Sequence, residues 1–487
     1  MFSNGTTGHI NKKVSNSEMQ TDTIEEIDSG ITKCISKDPY IDRDLTKGSI
    51  TKNLWTLTWP STISNTITML GPTIDMIWVG SLGSAALAGV GVSGMAVMVI
   101  NSARMGLNTG TQALIARLVG AGDKHGANHV AQQTFVISTV FSLIMAAIGF
   151  FLAESILVLI GVEPDVVKEG TVYMRIMFIG SVAMSFDVMS QGIMQASGDT
   201  LTPMKVSVCV RIFHIILCPF LVFGWWIFPF MGVSGAALTG IISQGSGGII
   251  LLWMLFTGRA RLKVTMKGFC FDTEIIWQII KIGIPSSVTA MQRNFTNFIL
   301  MWFVVPFGTY AVAAQSLADR MDVFVNMPAF GVGQASGILA GHNLGAHLPD
   351  RAEKTGWIAA GWFTCFTFTA SVIIWFWAEK IVSIFNNEPN LVMITSHFLR
   401  INIVGYLVFG LVIVLMNCLN GTGNTYMPMW TTLLTMWLVQ VPLAYILPKF
   451  TSLGVYGVRW GIVIAIALRA FVYTIYFKFG RWKHKQI

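Results

Sequence analysis

Asp75 is the one charged residue in an apolar run at about 54–80, and it follows Pro72 by three positions. An ionisable side chain at bilayer depth costs about 2.5–3.5 kcal/mol on insertion scales, so it normally faces a cavity or a partner. Ser61, Asn65, Thr68, Pro72 and Asp75 are spaced four, three, four and three apart, which places them on one helix face. Pro72 removes a backbone hydrogen bond one turn before the acid, so the helix can bend there. A buried carboxylate beside a hinge suits the capture and release of a proton or a cation. The plain alternative is a structural ion pair with an arginine such as Arg104.

Other membrane-depth polar residues fall into similar stripes. Asn101, Arg104, Asn108 and Thr111 share one face, as do Gln315, Asp319, Asp322 and Asn326. Two acids one turn apart repel when both are ionised. They can share a proton, hold Na⁺ or bind a cationic compound, with a salt bridge to Arg293, next to Gln292, as the structural alternative. Asp187, Gln191 and Gln195 form a shorter stripe. Arg211, His214 and Cys218 line up just before Pro219, and histidine is the side chain whose ordinary pKa lies nearest physiological pH. A packed, hydrogen-bonded histidine is the simpler reading of such a residue. Arg175, Arg400 and Arg459 lie near predicted outer helix ends, where they are expected to snorkel to the interface.

The elements that must position these residues are announced by a repeat. Pro60-Ser61 returns as Pro285-Ser286, an offset of 225, and the offset holds for Gly106 and Gly331, Gly120 and Gly345, Arg175 and Arg400, Gly198 and Gly423, and Pro203 and Pro428. It slips by three near the end, where Gly232 and Gly235 match Gly454 and Gly457. Long internal repeats in a hydrophobic chain mark transporter architecture. With 53% hydrophobic and 11% charged residues and a mean hydropathy of +0.63, the chain is an integral membrane protein rather than a soluble one.

Runs long enough to span a bilayer number twelve, six per repeat, so both halves enter the membrane the same way round. The expected fold is all-α, with a disordered cytoplasmic tail (1–52), a first lobe (53–257), a cytoplasmic linker (258–274), a second lobe (275–480) and a short cytoplasmic tail (481–487). If both termini are cytoplasmic, most loop lysines and arginines lie inside, against Lys168, Lys380 and Lys449 outside. That is a strong positive-inside bias. It also explains the sequence pI of about 9.2 without nucleic acid. The six cysteines form no CxxC pair, and neither a disulfide framework nor a metal site is expected.

The strings Asp75-Met-Ile-Trp-Val-Gly-Ser-Leu-Gly83, Gly106 through Gly122-Asp123, Gln195-Ala-Ser-Gly198-Asp-Thr200, Gly232-Val-Ser-Gly235 and Ala340-Gly-His-Asn-Leu-Gly345 resemble the multidrug and toxic compound extrusion (MATE) transporters of the MOP flippase superfamily, over about residues 54–480. The resemblance implies a V-shaped pair of six-helix lobes that rock between two faces of the cell membrane. It implies an antiporter that exports organic, cationic and amphipathic compounds in exchange for H⁺ or Na⁺, and places the family's first-helix acid on Asp75. No cofactor and no enzymatic activity are expected. The partners are a small-molecule substrate and the bilayer, and the chain is expected to act as a monomer.

Asp75, His214 and Asp187 are the candidate cation-coupling residues, and Pro72 and Pro285 the candidate hinges. Asn65, Thr68, Asn101, Arg104, Asn108, Arg211, Gln292, Arg293, Gln315, Asp319, Asp322 and Asn326 are the candidate cavity residues. The sequence departs from one family branch in its fifth helix, where His214-Ile-Ile-Leu-Cys218-Pro219 stands for Asn-Ile-Ile-Leu-Asp-Pro. The seventh-helix acid of other branches is replaced by Gln292 and Arg293. Arginines at depth (Arg104, Arg211, Arg293, Arg320 and Arg469) leave open a flippase or an exporter of an anionic or lipid-linked substrate. An intramembrane enzyme is a weaker alternative, since no HExxH, Ser/Lys dyad or phosphate-cradling loop is present.

Overall fold

Lipid offers no hydrogen-bond partner to a backbone, so each apolar run must satisfy its own N–H and C=O groups, and it does so as a helix. The computed structural model describes residues 44–485 apart from 162 and 387. The first lobe comprises α1 (Ile50–Gly80), α2 (Ser84–Gly120), α3 (Lys124–Ile160), α4 in two pieces (Pro164–Ile179 and Ser181–Ser197), α5 (Leu201–Phe223) and α6 (Gly232–Thr257). The second comprises α7 (Thr273–Val304), α8 (Thr309–Gly345), α9 (Pro349–Ser383), α10 (Pro389–Gly421), α11 (Tyr426–Phe450) and α12 (Tyr456–Phe479).

Among the described residues, nine of these helices are long and apolar enough to cross a bilayer, and α4, bent by 48° at Gly180, adds a tenth. The remaining two, α1 and α7, are the first helix of each repeat. At 31 and 32 residues and about 1.5 Å per residue, both exceed the roughly 30 Å hydrocarbon core. Their hydropathy is lowered by the polar stripes they carry. Repeat partners behave alike where the backbone demands it: α4 and α10 each end before a glycine of positive φ, Gly198 at 98° and Gly423 at 77°, a conformation that costs glycine little.

The lobes meet through exchanged pairs. Gly106 of α2 lies so close to Ser287 of α7 that a Cβ there would collide with it, and Gly331 of α8 lies equally close to Thr62 of α1. Adding 225 to 106 and to 62 gives 331 and 287, so the two contacts are one contact seen twice. Gly120 against His342 and Gly345 against Arg117 repeat the same swap. This is the geometry of an approximate two-fold axis along the membrane normal. These contacts lie in the halves of α1, α2, α7 and α8 nearest the chain termini, here called the terminal face. The inter-lobe hydrogen bonds Ser286–Thr109 (3.2 Å) and His342–Ala196 O (2.7 Å) lie there too.

The expected disordered leader falls outside the described residues over 1–43. Its last part departs from expectation: Leu45 is buried, with Leu54 and Leu57, in the apolar core of the second lobe, and helix starts at Ile50. The apolar Leu45 side chain gains more from that core than from solvent. The linker, too, is held in place. Leu262 and Val264 are buried in the first lobe's core, Thr265 N donates to Asn128 Oδ1 at 2.9 Å, and Gln133 Nε2 donates to Cys270 O at 2.6 Å. Asp272 caps α7, accepting from Glu274 N and Ile275 N. Its carboxyl is held below the usual carboxylate range by the backbone hydrogen bond from Ile275 and by His129, 3.2 Å away.

Candidate functional site

In the first lobe, α1 and α5 lie side by side and bring two of the predicted residues together. His214 Nε2 is 2.8 Å from Asp75 Oδ1, and Cys218 Sγ lies 3.8 Å from the same oxygen. His214 and Cys218 are one turn apart on α5, both buried, and the Asp75 side chain is 15% exposed. One turn back from His214, Arg211 donates to Thr68 O on α1 at 3.4 Å. With Asp75 ionised, the imidazole donates through Nε2. The pair can therefore share or exchange a single proton.

A second group lies next to the first. Asp187 on α4 is within electrostatic reach of Arg104 and Arg211 and accepts from Gln191 Nε2 at 2.9 Å. Arg104 donates to Asn101 Oδ1 (2.9 Å) and to Ser185 Oγ (3.0 Å), and Ser142 backs Ser185 at 2.7 Å. Acids and guanidinium groups thus alternate through the lobe: Asp75, Arg211, Asp187, Arg104. The alternative in which Arg104 pairs with Asp75 does not hold, because Arg104 is engaged by α4 and its own helix.

The second lobe gives a correction. Asp319 and Asp322 do not pair with Arg293. Both bind Arg459 of α12, at 2.9 and 3.0 Å, and Arg459 also donates to Gln315 O at 3.1 Å. Nor does Arg459 snorkel: it is 1% exposed and lies over the Phe398 ring. Two acids can be packed one turn apart because one guanidinium fork serves both. Asn402 Nδ2 donates to Asp322 at 2.8 Å, and the Tyr406 hydroxyl donates to it as well. Sequence reading passed over Asn402 and Tyr406, whose i, i+4 spacing on α10 was their only signal. Arg175 and Arg400, each eleven residues into its helix, are partly exposed and pair with Glu154 (3.5 Å) and Glu379 (3.1 Å), two acids again 225 apart.

The remaining candidates are dispersed. Asn65 donates to Gln334 Oε1 at 3.4 Å, and Gln334 Nε2 donates to Gln195 Oε1 at 2.8 Å. That polar seam crosses between the lobes and was not foreseen as a unit. Asn108 and Asn326 each bury an amide oxygen without a hydrogen-bond partner among the described residues. Arg293 lies over Phe330, 5.9 Å from its centroid. Positions 72 and 285, the predicted hinges, lie inside α1 and α7 rather than ending them. Among the described residues, Asp75, His214 and Cys218 are the one grouping whose donor atoms, all within 4.8 Å of one another, suit a metal ion.

The family profile described as MatE matches this chain twice, over residues 60–220 and 285–446, one copy for each repeat. The probable multidrug resistance protein YoeA of Bacillus subtilis is 26% identical, over 93% of this chain and 98% of its own length. The probable multidrug resistance protein NorM of Thermotoga maritima is also 26% identical, over 90% and 94%. A crystal structure of MATE in the bent conformation superposes with a TM-score of 0.84 at 25% identity, covering 89% of this chain and 96% of that one. A transporter from Pyrococcus furiosus, described as a MOP superfamily member whose binding pocket has reverse polarity, gives 0.83 at 25% identity, covering 91% and 98%. The doubled profile match, the repeat and the two-lobed helical fold agree: the chain belongs to the MATE family of multi-pass membrane transporters.

Proposed function

We propose that this protein is an efflux antiporter of the cell membrane that exports amphipathic organic compounds, organic cations among them, in exchange for H⁺ taken up through Asp75 and His214. The observation that carries this reading is the 2.8 Å contact between His214 Nε2 and Asp75 Oδ1, a titratable pair buried in one lobe. Na⁺ coupling at this position is less well supported. A hard cation takes several oxygen ligands, whereas Asp75 is flanked by an imidazole and a thiol, with Arg211 close by. Relatives named multidrug resistance proteins support a broad organic cargo.

The terminal face is read as cytoplasmic because loop lysines and arginines concentrate there. With inter-lobe contacts on that face, the cavity opens to the outside, and the exchanged glycine pairs are the contacts that rocking must break. Both lobes lie in one chain, so a monomer suffices. Asp187, Arg104 and Arg211 are read as the relay from the Asp75 pair toward the cavity, and Pro72 and Pro285 as the hinges.

The test is transport by purified protein in liposomes under imposed pH or Na⁺ gradients, with cationic and anionic organic solutes. The reading expects substrate movement driven by the pH gradient. Movement driven by Na⁺ alone would remove the proton assignment, and movement indifferent to both would remove antiport.

A further inference from the structure

The second lobe carries two arginines at the repeat equivalent of the first lobe's charged cluster. Arg293 falls at the register of Thr68 (293 − 225), and Arg469 at that of Gly247 (469 − 222), the glycine that packs on Asp187 in the first lobe. Between them α11 widens into a π-helical turn at Thr435–Gln440. Its six positions match 210–215 at the offset of 225, the stretch holding Arg211 and His214. Such turns recur at functional sites because they displace side chains from the regular ladder.

Arg469 is 6% exposed. Its Nε donates to Thr435 Oγ1 at 2.9 Å, but its Nη2 is buried without a hydrogen-bond partner among the described residues. Gln292, also 6% exposed, buries both its Nε2 and Oε1 in the same condition. Thr296, one turn from Gln292, contacts Met436 Sδ at 3.6 Å, which brings this part of α7 against the widened turn. Arg293 and Arg469 lie within electrostatic reach of each other. No acid stands on α11 or α12, α7 has only Glu274 near its terminal-face end, and Asp319 and Asp322 are engaged by Arg459. A buried guanidinium and a half-buried one without a counter-charge among the described residues are costly, and an anion that accepts their hydrogen bonds offsets that cost.

We infer that Arg293, Arg469 and Gln292 form an anion site in the second lobe, which takes the phosphate or carboxylate head of an amphiphile. The two lobes thereby differ: Asp75 and Asp187 offset the guanidinium groups of Arg211 and Arg104 in the first, and the anion offsets Arg293 and Arg469 in the second. The inference rests on the export reading only in treating that amphiphile as cargo. Binding is measured without a gradient, so a failure of coupling and a failure of the site are separable.

The experiment compares octyl phosphate with octyltrimethylammonium, equal in chain length and opposite in head charge, binding to the full chain in phosphatidylcholine nanodiscs. The site predicts that Arg469→Gln lowers octyl phosphate affinity at least tenfold and leaves octyltrimethylammonium within twofold. Arg293→Gln, at a half-buried position, gives the same pattern if Arg469→Gln does not fold. Asp75→Asn keeps wild-type octyl phosphate affinity. Competition by phosphatidylglycerol in the disc assigns the site to a lipid head, and lack of competition assigns it to a free amphiphile. Octyl phosphate affinity unchanged in both arginine variants overturns the proposal.

Discussion

His214 of α5 and Asp75 of α1 meet at 2.8 Å, although 139 residues separate them. The contact ties the fifth helix to the first inside one lobe, and its repeat equivalents, Val439 and Leu300, cannot form it. The contact is therefore present in one lobe and has no counterpart in the other.

If the pair shares the transported proton, His214→Ala changes the pH dependence of transport, since one partner's charge no longer sets the other's. His214→Gln keeps a hydrogen bond to Asp75 without a titratable ring, and should change the profile in the same way. An unchanged profile in both variants returns His214 to packing.

Arg459 holds two carboxylates. Arg459→Gln leaves both without their cation and should destabilise the protein, by less than the cost of about 3–5 kcal/mol for a fully buried pair, because the Asp319 and Asp322 side chains are 48% and 26% exposed. Asp319→Asn should cost much less, because Asp319 is 48% exposed and Asp322 keeps Arg459. Thermal unfolding of the two variants in detergent, compared with wild type, separates these outcomes.

Gly106 and Gly331 close the terminal face. Gly106→Val places branched carbons where Ser287 and the Gly283 carbonyl stand, and overpacking of this kind costs about 1–3 kcal/mol. Hydrogen exchange over residues 103–120 and 279–287 should rise as the lobes part there. Gly331→Val should do the same at its own contact with Thr62, and exchange unaltered in both would deny the swap its role in closure.

Asp272 fastens the linker to α3 and caps α7. Its carboxyl is depressed in the folded protein, so its stabilising share is complete above its ordinary pKa of about 3.9 and is lost as pH falls through the lower folded value. Asp272→Ala should lower the thermal midpoint at neutral pH. The gap to wild type should narrow in the acid range, as the wild type loses the same contact.

Much of the scaffold was legible in the sequence because it is written twice: many of its glycines and prolines recur at an offset of 225, or 222 near the end. Asp75 and His214 were legible as costly residues in the wrong solvent. Their contact was not, since helix periodicity gives the face of a side chain but not the neighbour it meets. Arg459 was misread for a similar reason. Near a helix end an arginine can reach water, and only the packing of α12 on α8 shows that it turns inward to Asp319 and Asp322. The clasp of Asn128 and Gln133 on the linker left no periodic signal at all.

The most direct test is Asp75→Asn in proteoliposomes under an imposed pH gradient, with organic-cation flux measured beside wild type at equal protein incorporation. Wild-type protein is predicted to move substrate in proportion to the gradient. The variant, with an unfolding midpoint close to wild type, should fall to the gradient-free background, a loss of at least tenfold. Full gradient-driven transport by Asp75→Asn would contradict it.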